Sequence, residues 1–156
     1  MLREAHSREA GFTLVEVLVV LVIIGVMTAA VVVSVPRDPA PAEADARAFA
    51  DAAHRAARST LLDGQTRGMS ISDSGWELRR YTEQGWQTAL SGQTSQRLRL
   101  DVDGVEVELQ PDPLPLLLWE PTGGANTFEL EFDALRDADW RVVGDAQGQV
   151  VAEPVP

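Results

Sequence analysis

The sequence predicts an α+β fold in which a long N-terminal α-helix packs on a small antiparallel β-sandwich. An apolar run near the N-terminus is followed by an alanine-rich segment whose apolar residues recur every three or four positions, which is typical of a helix. Beyond residue 67 the apolar residues recur every second position, in short runs separated by turn residues. That pattern is typical of antiparallel strands joined by tight turns.

The apolar run covers residues 12–35 and contains a single ionisable side chain, Glu16. As a helix it would be about 36 Å long, which exceeds the hydrocarbon core of about 30 Å. We therefore expect a transmembrane helix over residues 12–35, behind a polar leader of residues 1–11. A cleaved secretory signal is the alternative, because Ala29 and Ala30 supply small residues near the far end of the run.

Charges on either side of the run indicate its orientation. Arg3 and Arg8 precede it, whereas only Arg37 follows immediately. Arginine is favoured on the cytoplasmic side of a membrane segment. We therefore expect the N-terminus in the cytoplasm and the C-terminal domain on the other side of the membrane.

A proline-rich break over residues 36–41 separates the apolar run from a second helical pattern over residues 42–63, which we expect to be an amphipathic helix lying on the sheet. Its small apolar stripe follows the spacing of one helix face. The members of that stripe are Ala46, Phe49, Ala53, Ala56 and Thr60. Asp63-Gly64 is a plausible end for this helix.

Residues 64–156 form the predicted antiparallel β domain. Asp103-Gly104 should close a tight hairpin, because this dipeptide favours two-residue turns. The continuous apolar run from Leu114 to Trp119 predicts a strand buried on both faces. Nine strands are expected, over residues 67–72, 76–81, 85–89, 96–103, 105–110, 114–120, 126–133, 140–143 and 149–152.

Composition excludes several classes of function. The net charge is −11 and all 13 basic residues are arginine. Such an acidic chain repels phosphate backbones, so we expect no nucleic acid as a partner. The sequence has no cysteine, which excludes disulfides and thiolate metal sites.

No arrangement of residues indicates catalysis, and we expect no enzyme activity and no cofactor. His6 lies in the leader, and His54 should be a solvated residue of the second helix. Asp101/Asp103 and Asp133/Asp137/Asp139 raise a calcium hypothesis, but a solvated acidic rim is the better interpretation and no metal is assigned. The four tryptophans fit core packing better than a partner interface. They are Trp76, Trp86, Trp119 and Trp140.

The run Gly11-Phe12-Thr13-Leu14-Val15-Glu16 and the apolar stretch behind it resemble the type III signal of type IV pilins and type II secretion pseudopilins. This resemblance implies cleavage by a prepilin peptidase between Gly11 and Phe12, followed by N-methylation of Phe12. Glu16 would then be the fifth residue of the mature chain.

The resemblance also gives Glu16 an assembly role. Cleavage would create an ammonium group at Phe12 that enters the bilayer, where a cation requires an anion. In the family this pairing is drawn between neighbouring subunits, so it would set the register of the filament. The alternative is that Glu16 lies near enough to the headgroups to stay hydrated.

The segment from Pro113 to Phe132 is similar to the C-terminal half of the minor pseudopilin H family and of its type IV pilus relatives. This second resemblance implies a structural subunit in the tip or priming complex of a secretion pseudopilus, anchored in the inner membrane by a single span with its C-terminal domain in the periplasm. Its partners would be other minor pseudopilins and the major pseudopilin. The alternatives are a minor type IV pilin in pilus priming or DNA uptake, and a signal-anchored periplasmic binding module or enzyme.

Overall fold

The structure is a computed structural model that describes residues 14–34, 39–135 and 137–156, with side chains of the first helix described for residues 14–27. The chain divides into two compact units, residues 1–38 and residues 39–156. The first unit contains α1 (Leu14–Ser34). The second begins with α2 (Pro41–Asp63) and continues with nine strands. These are β1 (Arg67–Ser72), β2 (Gly75–Thr82), β3 (Gly85–Gln93), β4 (Arg97–Val102), β5 (Val105–Val107), β6 (Leu117–Trp119), β7 (Phe128–Asp133), β8 (Trp140–Gly144) and β9 (Val150–Pro154).

The strands form two antiparallel sheets. The first sheet has the order β3-β2-β1-β6, and the second has the order β5-β4-β7-β8-β9. Helix α2 contacts strands of both sheets. The predicted fold class, a helix packed on a small antiparallel sandwich, is therefore confirmed, and each predicted strand has a counterpart in the described residues.

Helix α2 is bounded by residues that suit its two ends. Pro41 occupies the first turn, where its missing N–H costs nothing. Gly64 adopts a left-handed conformation with φ 68°, and its N–H donates to the Thr60 carbonyl at 3.0 Å. The predicted apolar stripe is buried throughout, and three further alanines beside it are buried as well. Alanine on this face allows the helix backbone to approach both sheets closely.

Phe49 is the largest side chain that α2 places in the core, and it is fully buried. Its ring makes edge-to-face contacts with Trp76 of β2 at 5.9 Å and with Phe128 and Phe132 of β7 at 6.0 and 6.3 Å between centroids. Because β2 and β7 belong to different sheets, this one ring joins the helix to both of them. Aromatic pairs in this geometry contribute beyond the area that they bury.

Two glycines make room for the rings that surround Phe49. A Cβ atom on Gly92 would lie 2.5 Å from the Trp76 indole, and one on Gly144 would overlap the Phe128 ring. Both glycines lie directly opposite these aromatics in the ladder. A side chain at either position would therefore displace a ring from the core.

The predicted strand over residues 114–120 is wrong at its start. Strand β6 covers only Leu117–Trp119, and β1 is the one strand with which it pairs in the described residues. Leu117 and Trp119 are buried as expected, but Leu114 is 75% exposed. Pro113 and Pro115 lack the N–H that a longer ladder would need. The apolar run therefore reaches the core only after the second proline, at the edge of the sheet.

The junction between α2 and β1 is fixed by a two-bond ion pair. Arg67 Nη1 and Nη2 donate to Asp63 Oδ1 and Oδ2 at 2.8 and 2.7 Å. The hydrogen bond from Arg67, together with one from the Gln65 amide, lowers the pKa of Asp63 to about 2. This pair holds the end of the helix at the start of the first strand.

Phe49→Ala should destabilise the domain by about 3–5 kcal/mol, because it removes a buried ring that contacts both sheets and leaves a cavity. Chemical denaturation followed by tryptophan fluorescence measures this change. Leu62→Ala on the same helix is the matched control, because Leu62 is 78% exposed. A Phe49→Ala variant as stable as the Leu62→Ala variant would contradict the claim that the Phe49 ring stabilises the domain by contacting both sheets.

The ion pair at the α2–β1 junction predicts a dependence on pH. The folded pKa of Asp63, about 2, lies below the ordinary value of 3.8. Its stabilising effect should therefore be fully present above the ordinary value and be lost as the pH falls towards 2. Asp63→Asn and Arg67→Gln should each reduce the loss of stability between pH 5 and pH 2, measured by urea denaturation. The double variant should lose as much stability between pH 5 and pH 2 as either single variant does. Additive effects of the two substitutions would show that the pH dependence does not come from the Asp63–Arg67 pair.

Candidate processing and assembly site

Helix α1 begins inside the motif that the sequence singled out. Gly11 and Phe12 lie outside the described residues, whereas Glu16 lies in the first turn of α1. A carboxylate there is favoured by the partial positive charge at a helix N-terminus. The carboxylate thus lies at the N-terminal end of α1, and the proposed cleavage position precedes it by four residues in the sequence.

The side chains of α1 are apolar on every side of the helix rather than along one stripe. From Leu14 to Met27 the large apolar side chains are between 47% and 84% exposed. A helix that is apolar all round is stable where its surroundings are apolar as well, which means lipid or other apolar helices. Such a helix is built for association rather than for catalysis.

In the part of the chain that the structure describes, no helix combines the length and the apolar character needed to cross a membrane. The predicted span over residues 12–35 extends beyond the described side chains at both ends. That span stays a prediction.

Asp103, a member of one of the two acidic clusters, holds two loops together. It lies at φ 53° in the predicted tight hairpin between β4 and β5. Its carboxylate accepts hydrogen bonds from the Asn126 side chain at 3.0 Å and from the Thr127 N–H and hydroxyl at 2.9 Å each. These bonds, that of Asn126 foremost, lower the pKa of Asp103. Its oxygens are therefore occupied by donors of the β6–β7 loop.

Two of the other clustered acidic residues are also bonded within the domain. Asp139 accepts the Ala134 N–H at 2.8 Å, and Asp133 lies beside Arg99 at 3.4 Å. Within the described residues, no three histidine, aspartate or glutamate side chains are grouped so that they could hold a metal ion. These carboxylates support loops and ladders in the positions where the sequence raised a calcium hypothesis.

His54 is an exposed residue of α2, as predicted, and it also makes one contact across to the second sheet. The residue is exposed, but its Nε2 atom lies 2.7 Å from the Val150 carbonyl of β9. The side chain therefore ties the outer face of α2 to the last strand of the second sheet. His6 lies outside the described residues.

The four tryptophans pack as expected. Trp76 and Trp119 are buried, and Trp86 and Trp140 are half-buried. The Arg47 guanidinium lies 5.5 Å from the centroid of the Trp140 ring, which fixes the first half of α2 against β8. None of the four is a free aromatic anchor on an otherwise polar surface.

Sequence reasoning did not anticipate the charge pairs on the outer face of the second sheet. Arg141 donates to Glu153 at 2.6 Å and to Glu129 at 3.1 Å, and Arg99 pairs with Glu131 at 2.7 Å. The alternation of charged and apolar residues in β4 and β7 showed which face they occupy, but the partners depend on strand register. Exposed pairs of this kind contribute little stability. Their charges show that the outer face of the second sheet is exposed to solvent.

Comparisons with known proteins fit both the motif and the fold. Residues 6–32 match the family described as prokaryotic N-terminal methylation motif. Type II secretion system protein H of Aeromonas hydrophila is 36% identical over 91 residues, which cover 56% of this chain and 49% of that protein. The chain thus spans about half the length of this curated relative.

Two solved structures of the minor pseudopilin EpsH from the type II secretion system of Vibrio cholerae share the fold. They superpose with TM-scores of 0.63 and 0.64 at 19% identity. The matches cover 72% and 74% of this chain and 95% and 96% of those chains.

These findings show an N-terminal methylation motif in front of a domain that has the fold of a minor pseudopilin. The chain is similar to type II secretion system protein H and to the minor pseudopilin EpsH. The resemblance that the sequence predicted is therefore confirmed.

Proposed function

We propose that this chain is a minor pseudopilin of a type II secretion system, of the protein H type. It would be a structural subunit of the tip or priming complex, which helps to export folded proteins across the outer membrane. The observation that carries this proposal is the methylation motif over residues 6–32 in front of a domain with the EpsH fold. The 36% identity to protein H supports the assignment to the secretion branch.

Processing is the first step of the proposed function. A prepilin peptidase would cut between Gly11 and Phe12 and leave an N-methylated ammonium group at Phe12. Methylation keeps the positive charge, so the new N-terminus still requires an anion when it enters the bilayer. We propose that Glu16, four residues further on in the sequence, supplies that anion.

Assembly is the second step. We propose that residues 12–35 anchor the subunit in the inner membrane and later pack with the helices of other pseudopilins. Two opposite charges in an apolar surrounding pair only at one relative height of neighbouring helices, since any slip leaves both unpaired. The charge pair would thus set the register in which this subunit joins the other minor pseudopilins and the major pseudopilin.

A structural role fits the chemistry of the described domain better than an enzymatic one. His54, the histidine of this domain, bonds a backbone carbonyl rather than a nucleophile. Ser70 and Thr60 are buried hydroxyls in the core beneath α2 and β1, out of reach of a substrate. We infer that the domain acts by binding other subunits.

Glu16→Ala should be processed normally but should join the assembled complex at least about tenfold less well. An unpaired charge within a membrane costs on the order of 2.5 kcal/mol, and 1.4 kcal/mol corresponds to a factor of ten. Co-purification of the full chain with the other pseudopilins, quantified by immunoblotting, measures incorporation. Glu16→Asp, which keeps the charge, is the matched control and should retain most of the incorporation.

Gly11→Leu separates processing from assembly, since it should leave an uncut precursor that migrates more slowly. Equal incorporation of the Glu16→Ala and wild-type chains would contradict the register role of Glu16. Co-purification with pilus subunits in place of secretion subunits would instead favour a minor type IV pilin.

A further inference from the structure

The two sheets have four outer strands, and three of them are protected against pairing with another chain. Strands β5 and β6 are three residues long. Strand β9 carries Glu153 and ends at Pro154, and His54 bonds its Val150 carbonyl from the side. Shortness, charge, proline and cover by a helix are the usual means of protecting an edge.

Strand β3 is the exception. It extends over nine residues, Gly85–Gln93, and contains no charged residue and no proline. Residues 87–91 are exposed without interruption. A long, uncharged outer strand of this kind leaves a row of backbone N–H and C=O groups open to another strand.

The direction of these backbone groups follows from the ladder with β2. The Thr94 N–H donates to the Ser74 carbonyl at 3.1 Å, so this pair is bonded across the ladder. Gly92 and Leu90, two and four residues before Thr94, lie opposite Trp76 and Leu78 and face β2 in the same way. In an antiparallel ladder, every second residue directs its backbone groups away from the partner strand. Those of Ser91 therefore point to the open side of the sheet. The register of the β2–β3 ladder shifts at Ala89, which forms a bulge. The residues of β3 after Ala89 are therefore the regular part of the open edge.

An aromatic pair lies at the other end of the same hairpin. The rings of Tyr81 and Trp86 are 5.2 Å apart, and Tyr81 is 56% exposed. Trp86 is half-buried and supports the Tyr81 ring, and an exposed tyrosine beside an uncharged surface is typical of a protein interface. A strand lying along β3 would bring its side chains onto this pair.

We propose that β3 binds an extended segment of another pseudopilus subunit, which adds a fifth strand to the first sheet. This inference rests on the proposed function. An extended chain is the occupant because only extended backbone matches a row of alternating donors and acceptors. A different subunit is favoured over a second copy, since two chains that each carry a net charge of −11 repel each other.

The test uses the full chain, co-expressed with the other pseudopilins of its secretion system and purified as a complex. Ser91→Pro removes the outward N–H, and Ser91→Ala keeps it. The proline variant should recover at least about tenfold less partner, as expected for the loss of one or two backbone hydrogen bonds, whereas the alanine variant should match the wild type. Circular dichroism of both variants establishes that each is folded.

Hydrogen exchange of the wild-type chain tests the same point without any substitution. The peptide covering residues 85–93 should exchange at least about tenfold more slowly in the complex than in the isolated chain, because newly bonded amides are protected. The peptide covering β5, residues 105–107, should be unchanged and serves as the internal control.

A complex that forms while residues 85–93 exchange as fast as before would overturn the strand proposal and leave the proposed function intact. Protection of the same residues in a homodimer of this chain alone would overturn the choice of a different subunit. Failure of the wild-type chain to recover any pseudopilin would contradict the proposed function and, with it, this inference.

Discussion

The contact between the Phe49 ring and aromatic side chains of both sheets is the interaction on which the domain depends. One ring on α2 contacts Trp76 in one sheet and Phe128 and Phe132 in the other. The alanines around it bring the helix close to the sheets, and Gly92 and Gly144 leave space for the rings. A single helix therefore supplies the element that two small sheets share, and the core needs no second helix.

Because one helix serves both sheets, the outer surfaces of the sheets remain available for binding. The outer face of the second sheet carries paired charges that suit water, while the uncharged edge at β3 and the all-round apolar surface of α1 suit other protein segments or lipid. The proposed roles follow this division: the proposed processing position precedes α1 in the sequence, α1 carries the proposed register charge, and the domain presents an edge to a neighbouring subunit.

Periodicity was enough to predict the fold class, because helix and strand place apolar residues at different intervals. The stripe of α2 and the hairpin at Asp103-Gly104 followed from that pattern and from turn chemistry. The exposure of Leu114 did not, since hydrophobicity alone does not show where two prolines interrupt a ladder. The open edge at β3 also depends on strand order, which connects residues far apart in the sequence. As for the candidate site, Gly11, Phe12 and Glu16 were recognisable only from their fixed spacing.

The mass of the mature N-terminus, determined on the full chain extracted from its native membrane, tests the central claim most directly. We expect a chain that begins with N-methylated Phe12, because the peptide bond after Gly11 is cut and the new amine is methylated. A chain that begins beyond Ala30, as a secretory signal would leave it, would contradict the account, and so would an intact N-terminus at Met1.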